Sequence, residues 1–192
     1  MSSDRHAIAP FVLVTGNPNK ALEAERVLGL RPKWHAVDLP EIQSLDLIDV
    51  LRAKADVAWD ALQQPLVVDE TSLELGAMNG FPGPLVKWML ESVGAAGIAR
   101  TADALEDRRI VARCALLYRD GQGEILAEGR VGGTSALEER GDGGFGWDKI
   151  FIPDGHTRTF AEMSAEEKDR IGHRGLAWRA LIERLKTGRP AV

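Results

Sequence analysis

The chain has 192 residues, of which 24 are Lys or Arg and 29 are Asp or Glu, so its formal net charge is −5. This length suffices to bury a substantial core, and we take 1–192 as a single domain. The acidic balance lacks the basic excess that drives sequence-independent nucleic-acid binding, so we expect no nucleic-acid partner. A polyanionic ligand would therefore have to meet a local basic cluster.

The cysteine content and the apolar runs bear on the compartment. The single cysteine, Cys114, lies in the apolar run IVARCALLY, which predicts a buried, reduced thiol and excludes a disulfide within the chain. No apolar stretch approaches the ~20 residues of a membrane span, and the start MSSDRHAIAP lacks the apolar core of a signal peptide. We expect a cytoplasmic protein with no membrane partner.

Strand and helix signals alternate along the first half of the chain. Asn17 and Pro18 supply a side-chain cap and a preset first turn for a helix. The apolar stripe of a later helix is Leu47, Leu51, Ala58 and Leu62. In chain order this half predicts a strand at 11–16, a helix at 18–30, a strand at 34–39, a helix at 46–63, a strand at 65–75 and a helix from about 84 to 93, with a turn at Asn79-Gly80.

The second half predicts a hairpin, a glycine-rich loop and two helices. Strands at about 109–118 and 124–135 flank Asp120-Gly121, a pattern typical of an antiparallel hairpin. After the loop RGDGGFGWD comes the apolar run IFIPDG, and Ser164 with Glu167 has capping-box spacing. Gly172 is predicted to end that short helix, and the last helix carries Trp178, Leu181, Ile182 and Leu185. This order predicts an α/β fold around a mixed sheet.

The turn TGNPNK is a candidate phosphate site. It consists of Thr15, Gly16, Asn17, Pro18, Asn19 and Lys20. Free backbone N–H groups and a lysine at a helix N-terminus favour phosphate. The Walker A spacing is absent, and the same turn is also compatible with an ordinary strand-to-helix connection.

Three carboxylates are candidates for metal or proton chemistry. Asp69 and Glu70 close the apolar run PLVV, and adjacent side chains on a strand point to opposite faces, so normally only one faces a given site. Glu41, in DLPEIQ, is a candidate second metal ligand. Mg²⁺ needs only one or two carboxylates beside substrate phosphates. Each acid taken alone is equally compatible with a solvated loop carboxylate.

Two lysines on predicted helices differ in their placement. Lys54 falls on the apolar stripe of its helix, where it must snorkel or find an anion. Lys87 lies opposite Leu85, Met89 and Val93, so periodicity alone predicts that it faces solvent.

The segment FGWD and the start of the last helix are candidates for base recognition. Phe145 and Trp147 lie beside Asp148 in a glycine-rich loop, which suits stacking on a flat base or pinning the loop to the core. His173 and Arg174 follow Gly172, in the predicted first helical turn, where cations oppose the macrodipole. That mismatch favours a functional role.

Taken together, these segments resemble the inosine triphosphate pyrophosphatase family, whose members remove non-canonical purine nucleotides. The matching segments run in order along nearly the whole chain: VTGNPNK, DLPE, VVDETSLEL, GFPGPLVKWML, GFGWDKIFIPDG and FAEMSAEEKDRIGHR. The resemblance implies an elongated, two-lobed α/β fold around a long twisted mixed sheet, with a nucleotide cleft between the lobes. It also implies a homodimer.

The resemblance further implies hydrolysis of ITP, dITP and XTP to the monophosphate and pyrophosphate, with Mg²⁺ as cofactor. Glu41 and Glu70 would bind the metal, and Glu70 would accept the proton of the attacking water, with Asp69 and Lys20 as further catalytic candidates. The residues implied around the phosphates are 15–20, Lys54, Glu70, Thr71, Lys87 and Lys168. Phe145 would stack on the purine, with Gly146, Trp147, Asp148, His173 and Arg174 around it.

The sequence departs from the family pattern at two positions. Glu70 stands where Asp is usual, which moves the carboxylate by roughly 1.5 Å and leaves the choice between Asp69 and Glu70 open. Lys149 replaces a common proline after FGWD. Two alternatives therefore stand beside the main hypothesis: a related septum-inhibition type pyrophosphatase for modified pyrimidine or 7-methylguanine nucleotides, and a nucleotide-sensing module that has lost catalysis.

Overall fold

The computed structural model describes residues 10–37 and 39–187 of the chain. Within these ranges no helix is both long and apolar enough to cross a lipid bilayer. The strands are β1 (Val12–Val14), β2 (Lys33–His35), β3 (Leu66–Leu75), β4 (Pro82–Gly83), β5 (Arg109–Asp120), β6 (Gly123–Ser135) and β7 (Phe151–Pro153). The helices are α1 (Pro18–Leu28), α2 (Leu47–Leu62), α3 (Val86–Ala104), α4 (Ala165–Ile171) and α5 (His173–Thr187).

In the described chain, seven strands form one mixed sheet in the order β2-β1-β3-β5-β6-β7, with β4 beside the far end of β3. β1 runs parallel to β2 and β3, whereas β3, β5, β6 and β7 pair antiparallel in sequence. The predicted hairpin is β5 and β6, in register from Asp120 opposite Gly123 to Arg109 opposite Thr134. The expected α/β fold around a mixed sheet is confirmed.

Alternating side chains of the long strands pack into different hydrophobic clusters on the two faces of the sheet. On β5, Leu116 and Cys114 pack with α1 and α5, whereas Leu117 and Ala115 pack with α2. Toward the other end of β5, Ile110 packs with α3 and Phe151. Because side chains alternate between faces along a strand, one strand supplies both layers. Cys114 is fully buried, as predicted, and burial raises the pKa of its thiol well above the ordinary range.

The predicted helix starts are largely confirmed. Asn17 caps α1 with its side chain, which accepts from the Asn19 N–H at 2.9 Å, and Asp46 caps α2. Ser164 and Glu167 form both halves of the predicted capping box at α4. The predicted strand at 34–39 is shorter, ending at His35, and its Asp38 lies outside the described residues.

The helix predicted to end near Val93 extends further, to Ala104, so the predicted end was wrong. The chain bends at Gly94, where φ is 69° and ψ is 174°, and α3 then resumes and ends at Ala104. The second segment is rich in small residues (GAAGIARTADA), so it carries little of the apolar periodicity on which the sequence prediction depends.

Candidate functional site

A cavity of about 670 Å³ lies at the C-terminal end of β1. β1 ends at Val14, which lies opposite Val68 of β3. β3 continues to Leu75, and its pairing with β4 begins at Leu73. Between these points, within the described chain, no strand pairs with that edge of β3, and the cavity forms there. It brings together these predicted site residues: 15–20, Glu41, Lys54, Asp69, Glu70, Thr71, Lys87, Phe145, Gly146 and Trp147.

The turn at 15–20, the candidate phosphate site, is held by hydrogen bonds of Thr15. The Thr15 hydroxyl accepts from the Asn17 N–H at 3.1 Å, and the Thr15 carbonyl accepts from the indole N–H of Trp34 at 2.7 Å. Lys20, in the first turn of α1, forms an ion pair with Asp69. The turn therefore presents a helix N-terminus and a lysine to the cavity, as the sequence predicts.

Lys54 finds an anion, one of the two outcomes that its place on the apolar stripe predicted. Its ammonium lies 2.7 Å from a Glu41 oxygen and forms a second ion pair with Glu70. Lys54 is 8% exposed and Glu70 is 7% exposed. Burial acts to lower the pKa of Lys54, but Glu70 and Glu41 outweigh it and raise that pKa above its ordinary value. Glu70 also accepts from the Thr71 N–H at 3.0 Å.

Asp69 and Glu70 do point to opposite faces of β3, but the expectation that only one would face a given site is wrong. Asp69 meets Lys20 and Arg174 on the α1 and α5 side, whereas Glu70 meets Lys54 on the α2 side. Both carboxylates nevertheless line the same cavity, because the cavity wraps the edge of β3 beyond the end of β1.

A chain of buried charges leads away from Asp69. The Arg174 guanidinium donates to Asp69 at 2.8 Å and to Glu23, and Lys168 donates to Glu23 at 2.7 Å and to Asp148 at 2.5 Å. Burial acts to raise the pKa of Glu23, but Arg174 and Lys168 lower it to about 2. All of these side chains are buried, so each charge is compensated by a partner rather than by water.

The sequence did not point to Glu23, which lines neither cavity but pairs with two candidate site residues, Lys168 and Arg174. It lies on α1 three positions after Lys20, where both side chains share one helix face. That spacing was the available signal. A glutamate next to Leu22 and Ala24 is otherwise typical of a solvated helix position, and its partners come from distant parts of the chain.

The candidate base-recognition residues surround a second, much smaller cavity. It has a volume of about 20 Å³, about the space of one water molecule. It is lined by Phe145, Gly146, Trp147, Asp148, Lys168, His173 and Arg174. Lys168, expected near the phosphates, lines this cavity, with its ammonium 4.7 Å from the centre of the Phe145 ring. The Arg174 guanidinium lies 5.7 Å from the same ring.

His173 opens α5 but is not a cation there at neutral pH. It is 3% exposed, and burial together with Arg174 and Lys168 lowers its pKa from 6.5 to about 3. The expected mismatch with the helix dipole therefore applies to Arg174 and not to His173. The His173 ring stacks with Trp147 at a centroid distance of 6.1 Å.

Lys87 and Asp148 each line one of the two cavities, and Lys149 lines neither. Lys87 is exposed and lines the large cavity, so its solvent-facing and cleft-lining descriptions are both correct. Asp148 accepts from the Phe145 N–H at 2.7 Å, and burial raises its pKa although Lys168 acts in the opposite direction. Lys149 lies 3.9 Å from a Glu139 oxygen.

The chemistry of Glu41 and Glu70 fits a hard divalent cation. The two carboxylates contact one ammonium, that of Lys54, so their oxygens already converge on a cationic group. Across the described residues, no three carboxylate, imidazole or thiol side chains gather closely enough to hold a metal by themselves. This arrangement suits Mg²⁺, which takes one or two protein carboxylates and completes its shell with phosphate oxygens and water.

Comparison with known proteins gives consistent results. A model of the Ham1 family matches residues 11–184. Inosine triphosphate pyrophosphatase 2 of Trypanosoma cruzi is 41% identical over 173 residues, which cover 88% of each chain. The dITP/XTP pyrophosphatase of Thermococcus kodakarensis is 39% identical over 179 residues, 92% of this chain and 97% of that protein. A solved HAM1 protein from Coxiella burnetii is 25% identical to this chain, and the two structures align with a TM-score of 0.79. The alignment covers 93% of this chain and 100% of that one.

Proposed function

The chain belongs to the Ham1 family, and we propose on this basis that it hydrolyses ITP, dITP and XTP to the nucleoside monophosphate and pyrophosphate. One observation carries the proposal. A phosphate turn at a helix N-terminus, lysines paired with two buried carboxylates, and an aromatic loop all border one cavity. These are the groups that a triphosphate, an attacking water and a purine require.

The phosphates would bind at the turn 15–20, with Lys20, Lys54 and Lys87 as cations. Lys20 and Lys54 are held by Asp69 and Glu70, so a triphosphate would draw the lysines toward itself and release carboxylate oxygens for chemistry. Fixed donors and cations aimed at a phosphoryl group lower the barrier by stabilising charge on the leaving pyrophosphate.

Glu70 is our choice for the proton acceptor of the attacking water. Water would attack the α-phosphorus in line with the departing pyrophosphate. Glu70 keeps a Thr71 N–H bond that orients one of its oxygens, while its other oxygen faces Lys54. Asp69 carries two buried ion pairs, which favour a charged, structural role.

Mg²⁺ is the proposed cofactor, with Glu41 and Glu70 as its protein ligands. When bound, it would supply charge stabilisation on the phosphate oxygens and help to orient them. Lys54 lies between the two carboxylates and would pair with phosphate instead.

Purine selection is proposed to depend on Phe145, His173 and Arg174. Phe145 would stack on the base, and donors near His173 and Arg174 would bind the 6-oxo group that adenine lacks. The small cavity must widen for this, since its volume of about 20 Å³ holds only about one water molecule. Guanine would be disfavoured by about 1 to 3 kcal/mol through its unpaired 2-amino group.

We further propose a homodimer in the cytoplasm, as the family resemblance implies. The buried thiol of Cys114 is compatible with a reducing compartment. Light scattering after size-exclusion chromatography measures the assembly directly, and a monomer at micromolar concentration would contradict the dimer.

The function is tested by incubating the protein with ITP, XTP, dITP, GTP and ATP and measuring pyrophosphate and phosphate separately. We expect pyrophosphate with ITP, XTP and dITP, and much less product with GTP and ATP. Release of IDP and orthophosphate would contradict attack at the α-phosphorus. Preference for modified pyrimidines or 7-methylguanine would support the related pyrophosphatase, and tight ITP binding without turnover would support the sensing module.

A further inference from the structure

Lys54 occupies the space between the two carboxylates proposed for Mg²⁺. Its Nζ lies 2.7 Å from Glu41 Oε1 and forms a second ion pair with Glu70 Oε2. The lysine is 8% exposed, so its ammonium is held in place and has little water around it. In this arrangement the cationic position between Glu41 and Glu70 is already filled by the chain itself.

A divalent cation entering this space meets direct competition. The metal would have to take at least one carboxylate oxygen from Lys54, and the displaced ammonium would remain buried beside a dication. A buried charge that loses its partner is strongly unfavourable. Entry of the metal is therefore favoured only when another anion receives Lys54.

The same design recurs at the neighbouring acid. Asp69 is paired with Lys20, which also lines the cavity, so both adjacent carboxylates of β3 are neutralised by lysines in this structure. Among the described side chains no set of three ligands offers a metal an alternative position.

We propose that Lys54 is an internal counter-ion that keeps divalent metal out of the empty site and admits it only together with a polyanion. The polyanion supplies new partners for Lys54, which frees Glu41 and Glu70 for the metal. Metal and polyanion then bind with positive coupling. That the polyanion is a nucleoside triphosphate rests on the proposed function, whereas the exclusion of metal by Lys54 does not.

The test measures Mn²⁺ binding to the nucleotide-free protein by electron paramagnetic resonance, for the wild type and for Lys54→Met. Omitting nucleotide matters, because nucleotides bind Mn²⁺ themselves. We expect weak binding to the wild type and binding at least about tenfold tighter to Lys54→Met, since a unit charge a few ångströms away is removed. Lys54→Arg keeps the charge and should bind Mn²⁺ as weakly as the wild type.

Lys87→Met is the matched control, because Lys87 lines the same cavity but forms no ion pair with either carboxylate among the described residues. Equal tightening in Lys87→Met and Lys54→Met would overturn the proposal, as would unchanged affinity in Lys54→Met. If Lys54→Met is poorly folded, Lys54→Gln replaces it, and Mn²⁺ should then raise the Tm of that variant more than the Tm of the wild type. An equal Tm rise would also overturn the proposal.

The two proposals fail separately. Hydrolysis of ITP by the wild type, with no change of Mn²⁺ affinity in Lys54→Met, would contradict the counter-ion role and leave the function standing. Tight Mn²⁺ binding by Lys54→Met, when the wild type does not hydrolyse ITP, would contradict the function and leave the counter-ion role standing.

Discussion

Two consecutive acids on β3 have different surroundings, and this difference predicts different consequences of substitution. Glu70→Gln should lower kcat for ITP at least about a hundredfold, because it removes the proposed proton acceptor and a metal ligand. Its Tm should fall less than that of Asp69→Asn, since the amide still accepts from the Thr71 N–H and Lys54 keeps its ion pair with Glu41. Initial rates at saturating ITP and Mg²⁺, with thermal unfolding in parallel, measure both quantities.

Asp69→Asn is the comparison variant, at the preceding position of β3. Asp69 is fully buried between Lys20 and Arg174, so its substitution should lower the Tm and reduce kcat less than Glu70→Gln. If Asp69→Asn instead loses more activity at an unchanged Tm, Asp69 is the proton acceptor and the role of Glu70 is misassigned.

His173 predicts a pH dependence of stability. Its pKa is about 3 in the folded chain against an ordinary value of 6.5, because burial disfavours the imidazolium. Below pH 6.5 the unfolded chain takes up a proton that the folded chain does not, so the free energy of unfolding falls as pH decreases. The slope should approach about 1.4 kcal/mol per pH unit. Urea unfolding at pH values between 6.5 and 4.5 measures this slope. The lower limit is the ordinary pKa of glutamate, 4.5, so that the titration of carboxylates in the unfolded chain contributes little.

Removing the imidazole isolates this contribution. His173→Gln should flatten the slope between these pH values, whereas His156→Gln, at an exposed histidine, should follow the wild type. A wild-type slope in His173→Gln would show that another group titrates in this range.

At single positions, the sequence indicated which side chains need a charged partner better than it indicated which residues supply that partner. The place of Lys54 on an apolar stripe already required an anion or a route to water, and the structure supplies Glu70 and Glu41. The chain of charges through Glu23 was not predicted, because the sequence separation between Arg174 and Asp69 is 105 residues. No local pattern encodes a contact over that distance.

At the scale of elements, capping signals predicted the starts of α1 and α4, whereas nothing in the sequence indicated the bend in α3. Asn17 and Ser164 each bond the backbone that follows them, so the signal and the structure are both local. Gly94 gives no such signal, since a glycine is compatible with a helix end, a bend or a close contact.

The bend makes Gly94→Ala a test of backbone strain alone. At φ 69° and ψ 174° the residue occupies a region that is essentially restricted to glycine, and a methyl group there would meet no atom within 4 Å. The substitution should lower the free energy of unfolding by about 1 to 3 kcal/mol, measured by urea denaturation. Gly121→Ala is the control, because its methyl group would also meet nothing and its φ is not positive. Equal losses in both variants would contradict a strain effect.

At the scale of the whole molecule, the long antiparallel strands could be predicted from their length and hairpin turn, but the position of the cavity at the open edge of β3 could not. The cavity exists because β1 is three residues long while β3 is ten, so the edge of β3 is left open at its acids. Strand length depends on tertiary pairing, and the apolar run at 11–16 had suggested a longer β1.

The buried charges join α1, β3, the glycine-rich loop, α4 and α5, so they should contribute to global stability. Glu23 is the shared partner of Lys168 and Arg174, both buried. Glu23→Ala leaves two buried cations short of a carboxylate and should lower the free energy of unfolding by about 3 to 5 kcal/mol. Guanidine would mask the ionic effect, so urea denaturation is the appropriate measurement.

Glu25→Ala provides the matched control for Glu23→Ala, because it makes the same substitution two positions along the same helix. Glu25 is half-exposed and lies 3.8 Å from the exposed Arg31, so its loss should cost no more than about 0.5 kcal/mol. Adding 1 M NaCl shortens the Debye length to about 3 Å and screens exposed ion pairs far more than buried ones. The loss of unfolding free energy in Glu23→Ala should therefore be nearly the same with and without the added salt. A deficit below about 1 kcal/mol, or one that salt abolishes, would show that water compensates Lys168 and Arg174 and that the charge chain does not stabilise the fold.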